Sequence, residues 1–521
     1  MTANKRIFLN VVATYGRSLY ALIIGLFCGR WMLMALGEVD YGLMGLVGGI
    51  IGFVTFFNGM MATAVGRFFA FSVGESQKLG FGIEGLENCR KWFNTALLLH
   101  TIIPASLTVV GYPIGVWAIN NYLVIPADRI DACIWVWRFS CLAGFVGMVN
   151  VPFIAMYNAK QEIAELTIYS FVTTTLNAIF LYYVITHPGF WLVKISAWTC
   201  FLGVVPNILI CTFAVINFKE CRIVPKYFWS MERMRELFIY AGGRFICALA
   251  QMLSSQGLPV VVNKILGPTK NAAMTVGNTV VGHASNLTAA CIGAMYPAIT
   301  NAAGRGDLDE MRALSYRMCK LATFATMVFA VPLIIEIDNI MVLWLKTPPV
   351  GAASLCAIIL IASILNQLAE GLCIAIFAMG KVAMFNVCES IGFFLGFGVA
   401  VALIIVGFGL DAVGYGVMIG YVYSMVVKQV LGKKLCGFSI WHWIKHIFVP
   451  LIVAAIFSLA IGCLPRIWMN PTLLRVVVTT LLSEVILIAF TWAMVFEKDE
   501  KEFVINQLKK QFGKFLCQSS Q

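Results

Sequence analysis

Residues 189–216 read GFWLVKISAWTCFLGVVPNILICTFAVI and contain a single charged residue, Lys194. A helix rises about 1.5 Å per residue, so about 20 apolar residues are enough to cross the hydrocarbon core of a bilayer. This segment is therefore predicted to span a membrane. About fourteen such spans are predicted, at roughly 9–34, 42–73, 93–118, 131–156, 166–186, 189–216, 236–265, 271–299, 317–345, 351–379, 384–409, 412–431, 443–464 and 471–496. Twelve is the alternative count, if 412–431 or 443–464 does not cross.

The composition of the whole chain agrees with a lipid environment. The chain has 521 residues, of which 60% are hydrophobic and 12% are charged, and its mean hydropathy is +0.87. Soluble domains are about 45–50% apolar and about 25% charged. The chain is therefore predicted to be an all-α, polytopic membrane protein.

The connections and the cysteines exclude several function classes. The connections are too short to hold a soluble domain of ordinary size. The sixteen cysteines lie mostly within spans, without CxxC or Cys/His ligand spacing, so no metal, cofactor or disulfide framework is expected. Lys5 and Arg6 precede an apolar stretch that is too long for a signal peptide, and we predict that this stretch is the first span.

The basic residues predict the orientation of the chain. About 24 of the 37 Lys and Arg residues fall on one side of the predicted spans, and about seven fall on the other. Cytoplasmic connections are enriched in Lys and Arg, so both termini are predicted to be cytoplasmic. The same rule, together with attraction to anionic lipid headgroups, explains the net charge of +12 without a nucleic-acid partner.

The two halves of the chain repeat in order and spacing. One copy begins with the stretch from Tyr15 to Gly37, and the other begins with the stretch from Tyr240 to Gly267. Each copy is predicted to contain six spans, which gives two parallel lobes with a transport site between them. The predicted organisation is an N-terminal lobe (1–216), a cytoplasmic linker (217–235), a C-terminal lobe (236–431), two additional spans (432–496) and a cytoplasmic tail (497–521).

Three short motifs stand out beside the twelve-plus-two layout. They are Leu36-Gly37-Glu38-Val39-Asp40-Tyr41-Gly42-Leu43, Met156-Tyr157-Asn158-Ala159-Lys160 and Ile265-Leu266-Gly267-Pro268. These motifs and the layout resemble those of the MOP exporter superfamily (multidrug/oligosaccharidyl-lipid/polysaccharide), which has the MATE-like fold. Within it, the chain is most similar to Wzx-type flippases of bacterial surface polysaccharide synthesis.

The resemblance implies a protein of the bacterial inner membrane that is not an enzyme. It would move an undecaprenyl-pyrophosphate-linked oligosaccharide from the cytoplasmic to the periplasmic leaflet by alternating access. The product would serve the synthesis of O-antigen, capsule or exopolysaccharide. Its partners would be this lipid-linked substrate, the surrounding lipids, a polysaccharide polymerase and glycosyltransferases, and the protein would act as a monomer.

Five arginines within the predicted spans are candidates for binding the pyrophosphate. Intramembrane ionisable residues usually face a bundle interior or water, and the planar guanidinium binds phosphate oxygens bidentately. Counting along the helices predicts an inner and an outer layer. Snorkelling to lipid headgroups is the alternative for each residue. The inner layer is Arg17, Arg67 and Arg244, and the outer layer is Arg30 and Arg138.

Further polar residues within the spans have two possible roles. Glu370, Glu389 and His283 could relay a proton or bind a coupling cation, or could be satisfied by hydrogen bonds between helices. Several carboxamides could bind sugar hydroxyls or join helices, namely those of Asn58, Asn150, Asn177, Asn278, Asn286, Asn366 and Gln367.

Proline and glycine in the seventh predicted span indicate a bend. Pro259 cannot donate a backbone hydrogen bond, so the helix is predicted to kink there. Gly257 and Pro259 would form a hinge that faces the transport cavity, with a passive packing kink as the alternative.

Two other function classes remain to be weighed. A cation-coupled drug antiporter of the same superfamily would be expected to use carboxylates in the first lobe, where this chain carries arginine. An integral-membrane glycosyltransferase or polymerase would need acidic groups at the outer surface, where Glu336 and Asp338 form the only acidic pair. The arginines therefore favour an anionic, lipid-linked substrate.

Overall fold

A computed structural model describes most of the chain. The described residues are 20–21, 23–49, 61–62, 64–66, 68–69, 72, 83–160, 162–242, 245–497 and 501. In these ranges the regular secondary structure is entirely helical. The predicted all-α class is therefore confirmed.

The helices follow one another with short connections. They are α1 (23–49), α2 (Ile83–Asn121), α3 (Ile130–Val149), α4 (Val151–Ala159), α5 (Ile163–Thr186), α6 (Leu192–Asn217), α7 (Met231–Gly242), α8 (Phe245–Met252), α9 (Leu258–Leu266), α10 (Pro268–Gly304), α11 (Leu308–Leu345), α12 (Ala352–Gln367), α13 (Glu370–Ala378), α14 (Val382–Val406), α15 (Asp411–Cys436), α16 (Ile440–Trp443), α17 (Val449–Gly462), α18 (Pro465–Trp468) and α19 (Leu473–Met494).

Nine stretches of the described residues are long and apolar enough to cross a membrane, or ten if the bent pair α12 and α13 counts as one span. The predicted spans at 271–299 and 412–431 lie in α10 and α15, which are long helices but less apolar than these nine. The first two predicted spans fall partly outside the described residues. The chain is a multi-pass membrane protein.

The chain forms two compact units. The first consists of Met1–Val280, Thr347–Leu355 and Val382–Gly420, and the second of Val281–Lys346, Cys356–Lys381 and Tyr421–Gln521. The core of the first unit is built from aromatic residues of α2 and α4, and Phe93 and Phe153 make an edge-to-face contact at 5.1 Å. The lobe boundaries predicted from the repeats stay a prediction.

Two left-handed glycines in the first unit lie at equivalent points of the repeat. Gly37 has φ +70° and Gly267 has φ +88°, a conformation that L-residues with a side chain adopt at a cost. The segments that follow the two turns, in α1 and α10, approach each other closely. A Cβ added at Gly42 would lie only 2.2 Å from the Pro268 carbonyl oxygen. The paired turns support the internal repeat that the sequence predicts.

The second unit holds the additional C-terminal helices through a buried ion pair. Glu336 has non-helical backbone angles inside α11, and its fully buried side chain accepts hydrogen bonds from Arg475 of α19 at 2.9 and 3.1 Å. Asn339 and Thr479 also donate to the Glu336 carboxylate. The helix interruption and the last span are thus joined by one polar cluster.

Two π-helical turns occur in the described chain, and each ends two residues before a proline. Leu253–Gly257 precedes Pro259, and Ile444–Phe448 precedes Pro450. A proline removes one donor of the regular helix ladder, so the preceding turn can widen to the π spacing. Such turns are a common site of helix bending.

Candidate functional site

A cavity of about 300 Å³ lies inside the first unit, close to the paired glycine turns. The second half of α1, the π-helical turn before α9, the start of α9 and the first turns of α10 line it. The polar lining residues are Ser255, Gln256, Asn271, Thr275, Asn278 and Thr279. Gly45, Leu46, Pro259 and Met274 complete the wall.

The local sequence explains why polar groups reach this cavity. The π-helical turn Leu253–Gly257 brings Ser255 and Gln256 to the wall, next to Pro259. In α10, Asn271, Thr275 and Asn278 are three or four residues apart, and this spacing places them on one face of a helix. Gly45 opposite leaves room, since a Cβ there would lie 2.5 Å from the Thr275 hydroxyl oxygen.

Asn271 is the most informative residue of the lining. It is 2% exposed, and neither its carboxamide nitrogen nor its oxygen has a hydrogen-bond partner within the described part of the chain. A buried amide without a partner costs roughly 1–3 kcal/mol. Natural proteins keep few such groups, so this one needs a reason.

A second buried asparagine of the same unit shows the ordinary arrangement. The carboxamide of Asn263 accepts from the Val124 backbone N–H at 2.8 Å and donates to the Val124 carbonyl at 3.1 Å. Asn263 thereby fastens α9 to the connection after α2. Asn271 has no equivalent structural partner.

The lining decides what the cavity can bind, because it has hydroxyls and carboxamides and none of its ten residues is charged. Carboxamides offer two donors and an acceptor, and hydroxyls offer both functions. The arrangement therefore suits a neutral group that is rich in hydroxyls or amides. It offers no carboxylate to an organic cation.

The predicted arginine layers are only partly described. Arg17, Arg67 and Arg244 lie outside the described residues. Arg30 is half-buried in α1, seven residues before Gly37, so it lies about 10 Å along the helix from the turn. The binding roles of all five residues stay a prediction.

Arg138 lies on an exposed face of α3. It shares that face with Trp135 and Leu142, which are 46% and 51% exposed. Its guanidinium packs 4.7 Å from the Trp135 ring centroid, and its Nε donates to the Tyr112 hydroxyl. These surroundings support the snorkelling alternative for this residue.

Glu370 lies where the bent pair α12 and α13 is broken. Its carboxylate accepts a hydrogen bond of 2.8 Å from the Lys428 ammonium group, which also donates to Asn366. The Lys428 side chain is 3% exposed. The Trp443 indole donates to the Leu368 carbonyl that the helix break leaves open.

The other two predicted coupling residues are placed less completely. Glu389 is half-buried in α14 of the first unit, and one of its carboxylate oxygens is inaccessible to solvent. His283 lies in α10, and its side chain is outside the described part of the structure. A coupling role for Glu370, Glu389 or His283 stays a prediction.

The predicted hinge coincides with the π-helical turn. Gly257 is its last residue and Pro259 follows in α9. Gly257 packs tightly, since an added Cβ would lie 3.1 Å from the Phe397 ring. The irregular backbone therefore occurs at the position that the sequence predicts. Hinge motion itself stays a prediction.

One expectation about a polar residue needs correction, and for another the structure supports one of its two roles. Glu336 was expected at the outer surface beside Asp338, but it is buried and paired with Arg475. Asn150 could bind a sugar or join helices, and its carboxamide is hydrogen-bonded to Asn207 between helices. In both cases the partner lies far away in the chain, so local sequence could not reveal it.

Sequence reasoning missed most of the cavity. Asn278 was among the candidate carboxamides, but Gln256 and Asn271 were not. The signal that could have found them is their position near the repeat turn, since Asn271 follows Gly267 by four residues. Position in the sequence alone does not show whether a buried amide has a hydrogen-bond partner.

No family model matches the chain, and no curated protein sequence matches it. Similarity is found among solved structures.

An inward-facing multidrug resistance MATE-family transporter of the MOP superfamily covers 82% of this chain and 98% of its own, at TM-score 0.63 and 14% identity. The lipid II flippase MurJ, in an inward closed conformation, covers 93% of this chain and 99% of its own, at TM-score 0.61 and 13% identity. A MOP superfamily transporter from Pyrococcus furiosus covers 83% and 94%, at TM-score 0.52 and 15% identity. These neighbours are transporters, and the chain has the fold of the MOP-superfamily transporters.

Proposed function

We propose that this protein is a flippase that moves an undecaprenyl-pyrophosphate-linked oligosaccharide from the cytoplasmic to the periplasmic leaflet of a bacterial inner membrane. The oligosaccharide would be a repeat unit of O-antigen, capsule or exopolysaccharide. Transport would proceed by alternating access, and the protein would make no covalent bonds itself.

The observation that carries the proposal is the C-terminal pair of spans and its attachment. The flippase structure covers about a tenth more of this chain than the MATE-family structure does, which is about the length of the segment from α17 to α19. These helices are fastened to α11 by the buried Glu336–Arg475 pair. An integral attachment of this kind supports a flippase-like rather than a twelve-span antiporter organisation.

The chemistry of the described cavity supports the same choice. An organic cation is best held by a carboxylate, and none of the lining residues has one. A glycan presents neutral hydroxyl groups, which match the carboxamide and hydroxyl lining. The anionic pyrophosphate would be met by the predicted arginines, with Arg17, Arg67 and Arg244 at the inner side and Arg30 at the outer side.

A cation-coupled drug antiporter is the second candidate. The TM-score of 0.63 to a multidrug resistance MATE-family transporter supports it. Glu389 in α14 is one of the predicted coupling acids, but it lies outside the first lobe (1–216), where such a transporter would be expected to use carboxylates. An enzyme is less favoured, since the acid expected at the outer surface, Glu336, is a buried structural residue.

The deciding experiment uses a bacterial strain that lacks its own flippase. We expect the protein to restore surface polysaccharide, and we expect the Arg17→Ala, Arg244→Ala double variant to fail while it reaches normal membrane levels. Arg→Lys variants should restore display in part, because they keep the charge and lose the bidentate geometry.

The same bacterial strain distinguishes flippase activity from antiporter activity. Raised resistance to organic cations, with no restored polysaccharide, would favour the antiporter. Normal display by the double alanine variant would contradict the arginine mechanism and leave the flippase assignment standing.

A further inference from the structure

We propose that the cavity of the first unit binds one neutral sugar residue of the transported glycan through Gln256, Asn271 and Asn278. This inference rests on the proposed function for the source of the sugar, and on the cavity itself for the chemistry. It assigns to these three carboxamides a substrate-binding role that is separate from the arginine layers.

Asn271 is almost fully buried and lines the cavity, and both of its polar atoms lack a partner among the described residues. Gln256, which is half-buried, and Asn278, which is exposed, line the same cavity. Three carboxamides on two different elements thus converge on one space, and the buried one has no described partner that would give it a structural role.

The polar groups of the lining match those of a sugar. A carboxamide donates and accepts at once, and adjacent hydroxyls or an acetamido group on a sugar ring do the same. Thr275 uses its hydroxyl proton on the Asn271 backbone carbonyl, so its oxygen remains an acceptor for a donor in the cavity, whereas the Thr279 hydroxyl is also hydrogen-bonded to Tyr41. Leu46 and Met274 offer apolar contact to the carbon-bound face of a ring.

The size and charge of the cavity fit one neutral sugar residue. A volume of about 300 Å³ is at the lower end of small-molecule sites, which hold roughly 300–1,000 Å³. It accommodates one monosaccharide or on the order of ten water molecules. Since no lining residue is charged, a neutral hexose or N-acetylhexosamine is favoured over a uronic acid or an amino sugar with a free ammonium group.

The location connects the cavity to movement. Ser255 and Gln256 belong to the π-helical turn before Pro259, so bending at that turn would move one wall relative to Asn271 and Asn278 in α10. The affinity of the site for the sugar would therefore change as the helix bends. Release of a transported group requires such a change in affinity.

The test is binding of N-acetylglucosamine to the purified full-length protein, measured by saturation-transfer NMR, with glucuronic acid as the charged comparison. We expect the wild type to bind N-acetylglucosamine in preference to glucuronic acid. Asn271→Leu should weaken this binding about tenfold or more, because it removes two hydrogen bonds to the ligand. Gln256→Leu, on the other wall, should weaken it as well.

Thermal unfolding without ligand separates binding from folding. Asn271→Leu should keep or raise the melting temperature, since it removes a buried amide that has no partner. Asn263→Leu is the matched control and should lower the melting temperature, because it breaks two hydrogen bonds to Val124. A fall for Asn271→Leu equal to that for Asn263→Leu would mean a structural role and overturn the proposal.

The remaining outcomes are also decisive. Absence of N-acetylglucosamine binding to the wild type, or equal binding by the wild type and both leucine variants, would overturn the sugar site. If the wild type restores polysaccharide display while the sugar does not bind, the flippase assignment survives and only this site is lost. If the sugar binds and display is not restored, the proposed function fails and the site remains.

Discussion

Gly45 lies directly against Thr275, and the two residues are 230 residues apart, as are Gly37 and Gly267. Residues at equivalent positions of two copies meet only where the axis that relates the copies passes between them. The second half of α1 and the start of α10 therefore cross at a local pseudo-twofold axis inside the first unit. The cavity opens beside that crossing.

A small residue at position 45 is needed for this crossing. Gly45→Ala should lower stability by roughly 1–3 kcal/mol, because its Cβ would overlap the Thr275 hydroxyl. Thr275→Ala should relieve the overlap in the double variant, since a Cβ at position 45 lies 3.5 Å from the Thr275 Cβ. A double-mutant cycle of melting temperatures measures the effect.

Gly147→Ala in α3 is the matched control. A Cβ at that position meets no atom within 4 Å, so the variant should be neutral or more stable. An equal loss for both alanines, or no recovery in the double variant, would argue against the close crossing.

Glu370 and Lys428 can be tested for a coupling role apart from their structural one. Glu370→Gln removes the carboxylate beside a buried ammonium group, so stability should fall by about 3–5 kcal/mol. The Glu370→Leu, Lys428→Met double variant should regain much of that loss, because no buried charge is left.

Transport by the stable double variant then decides the role of the pair. Loss of polysaccharide display at normal protein levels would indicate coupling through the pair. Normal display would leave it a purely structural contact between α13 and α15.

Pro259 should matter for transport more than for stability. Pro259→Ala restores a backbone donor to the widened turn, so we expect a straighter, stiffer helix, unchanged or higher melting temperature and severalfold slower transport. Pro450→Ala, at the other π-helical turn, should leave transport unchanged. Equal effects of the two substitutions would mean that the turn before Pro259 is not a hinge.

Stability should depend on pH through the contact after the last span. Lys320 donates a 2.8 Å hydrogen bond to Glu497 and lowers the pKa of that carboxyl. A lowered pKa in the folded state stabilises the protein above the ordinary value for Glu, about 4.3, and this contribution is lost as the pH falls through the lowered pKa.

Glu497→Gln should therefore lower the melting temperature at pH 7, and the difference from the wild type should shrink below about pH 4. Asp309→Asn is a suitable comparison, since the Asp309 side chain is 95% exposed, and it should have little effect at either pH. A difference for Glu497→Gln that does not change with pH would rule out the charge as its cause.

The fold was predictable because each span carries its own signal. An apolar run such as 189–216 needs no distant partner to be recognised, and Gly267 followed by Pro268 marks a turn by local chemistry alone. For the polar residues, the sequence did not distinguish a structural role from a binding role. Asn150 and Asn271 look alike in sequence, yet one is hydrogen-bonded to Asn207 and the other faces a cavity.

Pairings between residues of distant helices were also not predictable from the sequence. Lys428 lies near the end of the predicted span 412–431, and only the packing of α13 places Glu370 beside it. The five arginines could be assigned a depth by counting residues, but a depth does not say which face of a helix they occupy. Arg138 illustrates this, since its face is shared with exposed Trp135.

The Glu336–Arg475 pair also has a consequence for synthesis of the chain. The two residues are 139 positions apart, and ribosomes add about 5–20 residues per second. Glu336 therefore enters the membrane roughly 7–28 s before its partner has been made. During that interval the carboxylate must remain near water or be sheltered by the insertion machinery. Assembly of the second unit can be completed only when the last helix arrives.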